Sequence, residues 1–324
     1  MVEADRCLVA ALALGLDASL GDPENRWHPV AWMGSLIGRL KAFAPAGNAG
    51  RFCFGGLVAL GGAGTCYGMG TLLELGLDML PAPLALPAKA YTLKMMLSAR
   101  GLRLATQEIE TALLQEDLNE ARRLLHWHLV SRDTRDLAKH EVCAAAIESV
   151  AENTSDGVVG PLYYYLLGGL GAAYAYRFSN TVDSMWGYHD AEHEWLGKFP
   201  ARWDDLLNLI PARLTALGLA LSGRLSGKNV KNGLDTWRSD RALTASPNAG
   251  HPMSMMAGLL QVELEKKDHY RLGAGQRQAT PADLADSVRI MRRAVWLLLG
   301  LMSAAVIMTG FIKLAERKKI KPTR

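Results

Sequence analysis

Charge disappears from the chain in long blocks. Phe52 to Leu73 is twenty-two residues without a charged side chain, Gly157 to Tyr176 is twenty, and Ala294 to Ile312 is nineteen. A helix of about 20 apolar residues covers the hydrocarbon core of a bilayer, so each block predicts a membrane span. Leu206 to Ser222 predicts a weaker fourth, because Arg213 interrupts it. Leu80 to Leu93 is apolar but broken by Pro81, Pro83, Pro87 and Lys89, and Leu8 to Leu16 is too short alone and reads as a partial or re-entrant segment. Polar stretches lie between these blocks. The one over 94–141 has apolar residues at helical spacing and balances eight Lys/Arg against eight Asp/Glu, which predicts ordered helices rather than a flexible tail. The one over 223–293 is rich in turns (SPNAGHP, GAGQRQATPAD), and no strand pattern stands out. The expected fold is all-α: a polytopic integral membrane protein with about 4–6 transmembrane or re-entrant helices, and polar helices and loops at the membrane face. Residues 1–312 read as one membrane-embedded catalytic domain and 313–324 as a basic tail.

Composition alone would hide this. Apolar residues make up 49% of 324 and charged residues 21%. Mean hydropathy is only +0.04. The net charge of +4 sits largely in the tail, where six Lys/Arg face Glu316 alone. That tail abuts the last apolar block, so the bias of cytoplasmic loops toward Lys and Arg predicts a cytoplasmic C-terminus. Nucleic-acid binding is not expected, because no aromatic interleaving or binding motif accompanies the charge. MVEADR carries acid as well as base and no cleavage site follows an adequate apolar region, so it does not read as a secretory signal. Cys7, Cys53, Cys66 and Cys143 contain no CxxC pair and read as small apolar residues, not a disulfide or zinc framework.

Candidate chemistry gathers at the edge of the second block. Glu148, Glu152 and Asp156 are spaced i, i+4, i+8, one stripe on a helix. Three like charges on a stripe repel unless a cation joins them, and magnesium takes carboxylate oxygens while bridging substrate phosphates. The plainer alternative is a solvated helix face. Beyond the block, Asn180 and Asp183 lie i, i+3, either on one functional face or as a helix cap. These two groups sit at opposite ends of a straight span. They can share a site only if the segment is re-entrant or broken, which Gly160-Pro161, Gly168-Gly169 and Gly171 make plausible. Two Pro-stiffened turns, Asp22-Pro23 with His28-Pro29 and Ser246-Pro247-Asn248 with His251-Pro252, present polar side chains or serve as simple turns. Arg132 and Asp133, with Arg100 upstream, offer forks for phosphate or an internal ion pair. There is no Walker A: Gly223 to Asn229 has the wrong spacing and ends on Asn. A dinucleotide glycine fingerprint and a GxSxG are also missing.

The segments GDPENRWHPVAWMG, SRDT, ESVAENTSDGVVGPLYYYLLGG, NTVDSMWGY and SPNAGHPMS, in that order from Gly21 to Ser254, resemble the adenosylcobinamide-phosphate synthase family of cobalamin biosynthesis. The two longest are specific. Beyond about Gly273 no motif continues. The resemblance implies an integral, multi-pass inner-membrane enzyme. Such enzymes join adenosylcobyric acid, through its free propionate, to (R)-1-amino-2-propanol phosphate or the free aminoalcohol, at the expense of ATP. Other late corrin-pathway membrane enzymes are then expected as partners, and membrane lipid as surroundings.

The residues fit that chemistry. A carboxylate needs activation by ATP, with Mg²⁺ on the phosphates, which makes Glu148, Glu152 and Asp156 metal candidates, with Asp183 as a possible fourth. Arg100 and Arg132, beside Asp133, are candidates for nucleotide or aminoalcohol phosphate. The amine must be neutral to attack, so His28 or His251 is a candidate base and Asp22 the alternative. Asn153, Asn180 and Asn248 are candidates for orienting amides or phosphates. Two rivals stand beside this reading. One is a magnesium-dependent membrane transferase acting on a lipid diphosphate. The other is a non-enzymatic transporter or scaffold, which glycine-broken spans also suit.

Overall fold

A computed structural model describes residues 2–188, 190 and 192–320, and the side chains of all of these except 2, 311 and 313–320. In chain order the helices are α1 (Val2–Ser19), α2 (Pro29–Lys41), α3 (Asn48–Asp78), α4 (Ala82–Lys94), α5 (Ala99–Leu114), α6 (Leu118–His128), α7 (Lys139–Thr154), α8 (Gly160–Trp186), α9 (Lys198–Leu225), α10 (Val230–Asp240), α11 (Gly250–Leu260) and α12 (Pro281–Ile320). The all-α membrane class stands. One feature departs from the sequence reading: a small sheet of β1 (Val262–Lys266), β2 (Tyr270–Leu272) and β3 (Arg277–Gln278), ordered β2-β1-β3. β1 pairs antiparallel with β2 and parallel with β3. Its pattern is real but short. Val262, Leu264 and Leu272 are fully buried while Glu263 and Glu265 alternate with them, and so few residues of period two are easily lost in a turn-rich stretch.

Contacts gather the chain into two compact units, where the sequence was read as one domain over 1–312. The first comprises Met1–Leu97, Pro161–Ala201 and Leu298–Arg324, and the second Ser98–Gly160 and Arg202–Leu297. In the first, α1 lies along α4, and Met33, Ile37, Val58, Met96, Phe178 and Trp186 form a core. Gly62 is needed there: a Cβ would stand 2.1 Å from the Phe178 ring. In the second, α7 runs through the middle. Every residue from Val142 to Ala151 is buried, because small side chains (Cys143, Ala144, Ala145, Ala146) let α5, α6, α11 and β1 pack close around it. A helix that is apolar and small on all sides belongs in an interior, and Glu148 is carried in with it.

Among the described residues three helices are long and apolar enough to cross a membrane: α3, α9 and the Pro281–Gly310 part of α12. Two match the strong blocks, and α9 is the weak fourth. Arg213 is tolerated in α9 because its guanidinium donates to Leu209 O at 2.7 Å and to Asn248 Oδ1 at 3.3 Å, keeping the charge on protein acceptors. The Gly157–Tyr176 block is not among the three. It opens on a π-helical turn, Ser155–Val159, and breaks at Gly168 (φ −136°) and Gly169 (φ +72°). The break is satisfied by charges at its two helix ends. Arg6 Nη1 donates to Leu167 O at 3.2 Å, and Glu74 Oε2 accepts from Leu170 N at 2.9 Å. A cation thus meets the last carbonyls of one half and a carboxylate the first N–H groups of the next, the favourable sense for helix dipoles.

Leu57, Met69 and Leu72 of α3 are each more than 60% exposed, a surface suited to lipid rather than water. The four cysteines are free thiols. Of the basic tail, residues 321–324 lie outside the described residues.

Candidate functional site

The centre of the second unit holds a buried acid. Glu148, near the middle of α7, is 6% exposed. Arg132, on the loop between α6 and α7, reaches it with Nη2 3.7 Å from Oε2. That loop is pinned: His126 Nδ1 donates to Arg132 O at 3.0 Å, and Thr134 Oγ1 donates to Arg122 O at 2.9 Å. On the opposite side β1 packs against α7, and the β1–β2 register sets Lys266 beside Tyr270, so both act on the acid pair. Glu148 Oε1 is buried and accepts no close hydrogen bond among the described residues, although the Tyr270 hydroxyl bears on the same carboxyl as a donor. Buried carboxylate oxygens are normally satisfied, so an unmet one invites a ligand. Burial pushes the Glu148 carboxyl up to about 7; Arg132 opposes this and Glu152 adds to it. Glu152 is also raised by burial, with Lys266 opposing. Burial disfavours two charges here, and the like-charge neighbour makes the second costlier still.

The third acid of the stripe does not complete a metal set. Among the described residues no group of three His, Cys, Asp or Glu side chains is placed to hold a metal ion. The i, i+8 geometry assumed one continuous α-helix. Asp156 instead lies on the π turn, outside the regular winding that the spacing argument used. Arg132 and Lys266 already supply the positive charge for which a cation was invoked. A resident magnesium on Glu148, Glu152 and Asp156 therefore does not fit. The π turn has another use. Ser98 N and Oγ both donate to Gly157 O, at 3.0 and 3.2 Å, which docks the start of α5, with Arg100, against the turn. Asn153 Nδ2 donates back to Ser149 O and Oγ at 3.0 and 3.1 Å. Asp133 is exposed and forked by Arg135 at 2.5 Å, whose hydrogen bonds hold its carboxyl well below the usual range. Its partner is therefore Arg135 and not Arg132. Beside this loop a cavity of about 580 Å³ is lined by Arg122, Arg123, His126, Asp133 and Arg135, among others.

The SPNAGHP turn is a structural fixture of the same unit. Asn248, 4% exposed, donates Nδ2 to Asp205 O at 2.7 Å while Ser246 Oγ donates to Asp205 Oδ1 at 2.9 Å. With the Arg213 contact, this ties the turn to α9. His251 is buried at the start of α11, and Trp237 Nε1 donates to its Nδ1 at 3.1 Å. Burial, with Arg213 and Arg241 nearby, lowers its pKa to about 4. The ring is therefore neutral with Nδ1 occupied, which leaves Nε2–H as a donor. That geometry suits a hydrogen-bond donor and removes the base expected of it.

In the first unit Asp22 and His28 do come together, around a residue the sequence reading missed. Lys94 is fully buried and donates to Gly21 O at 3.0 Å and to Asp22 Oδ1. His28 Nε2 stands 3.8 Å from the same oxygen. His28 also caps α2, its Nδ1 accepting from Val30 N at 3.3 Å. The hydrogen bond to His28 and then Lys94 lower the Asp22 carboxyl to about 2, so Asp22 is an anion and a poor base near neutrality. The signal for Lys94 was present: a single cation in YTLKMML is costly to bury unless paired. Asn180 and Asp183 lie within the second half of α8, not at a helix start, which excludes the capping role. Arg177 Nη1 donates to Asn180 Oδ1 at 3.4 Å.

Comparison with known proteins completes the picture. The family described as CobD/Cbib protein matches residues 10–298. Cobalamin biosynthesis protein CobD of Dehalococcoides mccartyi is 39% identical over 298 residues, covering 90% of this chain and 95% of its own. The probable cobalamin biosynthesis protein CobD of Methanothermobacter thermautotrophicus is 36% identical, over 93% and 97%. Cobalamin biosynthesis protein CbiB of Salmonella typhimurium is 35% identical, over 92% and 97%. No solved structure matches. The match runs through every motif and both units, and the chain belongs to the CobD/CbiB family.

Proposed function

We propose that this protein is the amide synthase of cobalamin biosynthesis that joins adenosylcobyric acid to (R)-1-amino-2-propanol phosphate, or to the free aminoalcohol, with ATP as the driving substrate. Family membership supports a biosynthetic role in the cobalamin pathway. The observation that carries the chemistry is the buried Glu148, with its unmet Oε1 and a carboxyl near 7 between Arg132 and Lys266. The propionate oxygen attacks the terminal phosphoryl of ATP, giving an acyl phosphate and ADP. The amine nitrogen then attacks the acyl carbon, the C–O bond breaks and inorganic phosphate leaves. An ammonium cannot attack, so a proton must go first. Glu148, poised near neutrality and within a cationic surround, is the group suited to take it. Asp22 is too acidic for that step and His251 has its Nδ1 occupied.

Arg132 and Lys266 supply charge for phosphate oxygens. The arginine-rich cavity beside Asp133 supports a place for nucleotide phosphates next to that loop, with Arg100 docked at the π turn. Magnesium enters as the companion of ATP rather than as a resident of the acidic stripe. Asn153, Asn180, Asn248 and Asp183 are proposed as positioning groups. We place the protein in the inner membrane as a multi-pass chain; the basic tail supports a cytoplasmic C-terminus.

The test follows corrinoid mass with purified protein, adenosylcobyric acid, aminopropanol phosphate, Mg²⁺ and ATP. Wild type is expected to give the amide, and Glu148→Gln to lose about 10²–10⁴ in rate with corrinoid binding retained. Product from Glu148→Gln at the wild-type rate would move the base elsewhere. No product from folded wild type with either amine would return the lipid-diphosphate transferase and the transporter to consideration.

A further inference from the structure

A second charged concavity lies in the same unit, apart from Glu148. It is a groove of about 780 Å³ whose lining includes Arg103, Glu110, Leu225, Arg289, Arg292, Arg293 and Trp296. Four guanidiniums face a single carboxylate there. On α12, positions 289, 292, 293 and 296 are i, i+3, i+4 and i+7, so they form one face by helical geometry. Three of the arginines are held by hydrogen bonds to protein groups. Arg289 Nη1 donates to Asp286 Oδ1 at 2.8 Å, Arg293 Nη1 to Ser226 Oγ at 2.8 Å, and Arg103 Nη1 to Gln107 Oε1 at 2.8 Å. Arg292 is exposed and has no ion pair or side-chain hydrogen bond among the described residues.

The position of the groove says which anion it suits. The charge-free block of α12 begins at Ala294, directly after Arg293. Leu225, which lines the groove and is 66% exposed, is the last residue of α9. The last residue of α9 and the start of the charge-free block of α12 therefore both border this groove. Trp296, 47% exposed, sits where an interfacial aromatic anchors at headgroup level. A basic pocket between span ends, with an apolar wall leading away from it, matches a phosphate carried on acyl chains better than a phosphate in water. The volume is of the order of small-molecule sites.

We propose that this groove binds the phosphodiester headgroup of an anionic phospholipid, with Arg292 as its free cation and the acyl chains running along α12 beyond Trp296.

The experiment uses full-length protein in a neutral detergent. Retention of phosphatidylglycerol against phosphatidylcholine is read by native mass spectrometry, and the affinity by titration. Arg292→Gln is the clean variant, since it removes no internal partner. Arg224→Gln, an exposed arginine at the end of α9 outside the groove lining, is the matched charge control. One surface cation is worth a factor of about five toward an anionic lipid, so Arg292→Gln is expected to weaken phosphatidylglycerol about fivefold while Arg224→Gln and wild type agree. A combined Arg289→Gln, Arg292→Gln, Arg293→Gln variant is expected to abolish the preference over phosphatidylcholine. Equal retention of the two lipids by wild type overturns the proposal, as does equal weakening by Arg224→Gln. A third arm adds inorganic phosphate and glycerol 3-phosphate. Displacement of the lipid by either at low millimolar concentration would reassign the groove to a soluble phosphate.

Discussion

Glu148 shows what one residue owes to its surroundings. A base must be unprotonated to act, so the rate should rise with pH through about 7, the Glu148 value. Arg132 opposes protonation there. Removing it as Arg132→Gln should move that rising limb to higher pH by about one unit, and the pH profile of kcat/KM measures this. A variant that loses rate without moving the limb would mean Arg132 acts on substrate alone. Stability should respond in the opposite sense. Folded Glu148 holds its proton up to about 7 while the unfolded side chain releases it near the ordinary glutamate value of 4.5. Between those values the folded state binds the extra proton, so stability falls as pH rises across that window and is flat above it. Glu148→Gln escapes the loss. Its stability should match wild type near pH 5 and exceed it at pH 8, by at most about 3 kcal/mol, which reads as a higher thermal midpoint at pH 8 alone. The spacing of Glu148 and Glu152 was legible in the sequence. Which of the candidate groups is tuned to neutrality was not, because the tuning comes from Arg132, Lys266 and Tyr270, sixteen to over a hundred residues away.

At the level of elements the broken α8 is the most informative case. Glycines at 168 and 169 announce a possible break, and the break is there. Its stabilisers lie on other helices, in Arg6 and Glu74, and no local pattern points to them. Gly169 has φ +72° and an added Cβ would stand 2.1 Å from Glu74 Oε2. Gly169→Ala should therefore cost about 1–3 kcal/mol through backbone strain alone, with the carboxylate displaced as well. Glu74→Gln keeps an acceptor for Leu170 N and loses only the charge at the helix start, so it should cost under about 1 kcal/mol. Thermal unfolding in detergent ranks the two; the reverse order would show that the charge, not the glycine, holds the kink. The same contrast explains the sheet. Val262, Leu264 and Leu272 carry too little period to be seen in sequence, but they bury fully once α7 supplies a surface.

Over the whole molecule, sidedness joins the charge pattern to the chemistry. The tail's net charge of +5 argues for a cytoplasmic C-terminus. Arg289, Arg292 and Arg293 flank the other end of the same apolar stretch, a smaller cluster of positive charge than the tail's. In a cysteine-free background, Lys319→Cys should be protected from an impermeant maleimide in intact cells if the tail is cytoplasmic, and Arg292→Cys labelled. The opposite pattern would put the tail outside.

The sequence by itself determined the helical class, the spans at α3 and α12, the free state of the cysteines and the family motifs, because composition and short-range periodicity are local properties of the chain. Tertiary structure decided the rest. It gave Arg213 of α9 its acceptors and placed Arg6 and Glu74 at the break in α8. It placed Asp156 on a π turn, gave Lys94 to Asp22, and set the Glu148 carboxyl near 7. Each of these depends on burial and on charges brought in from distant segments, and neither quantity is written in the spacing of residues along the chain.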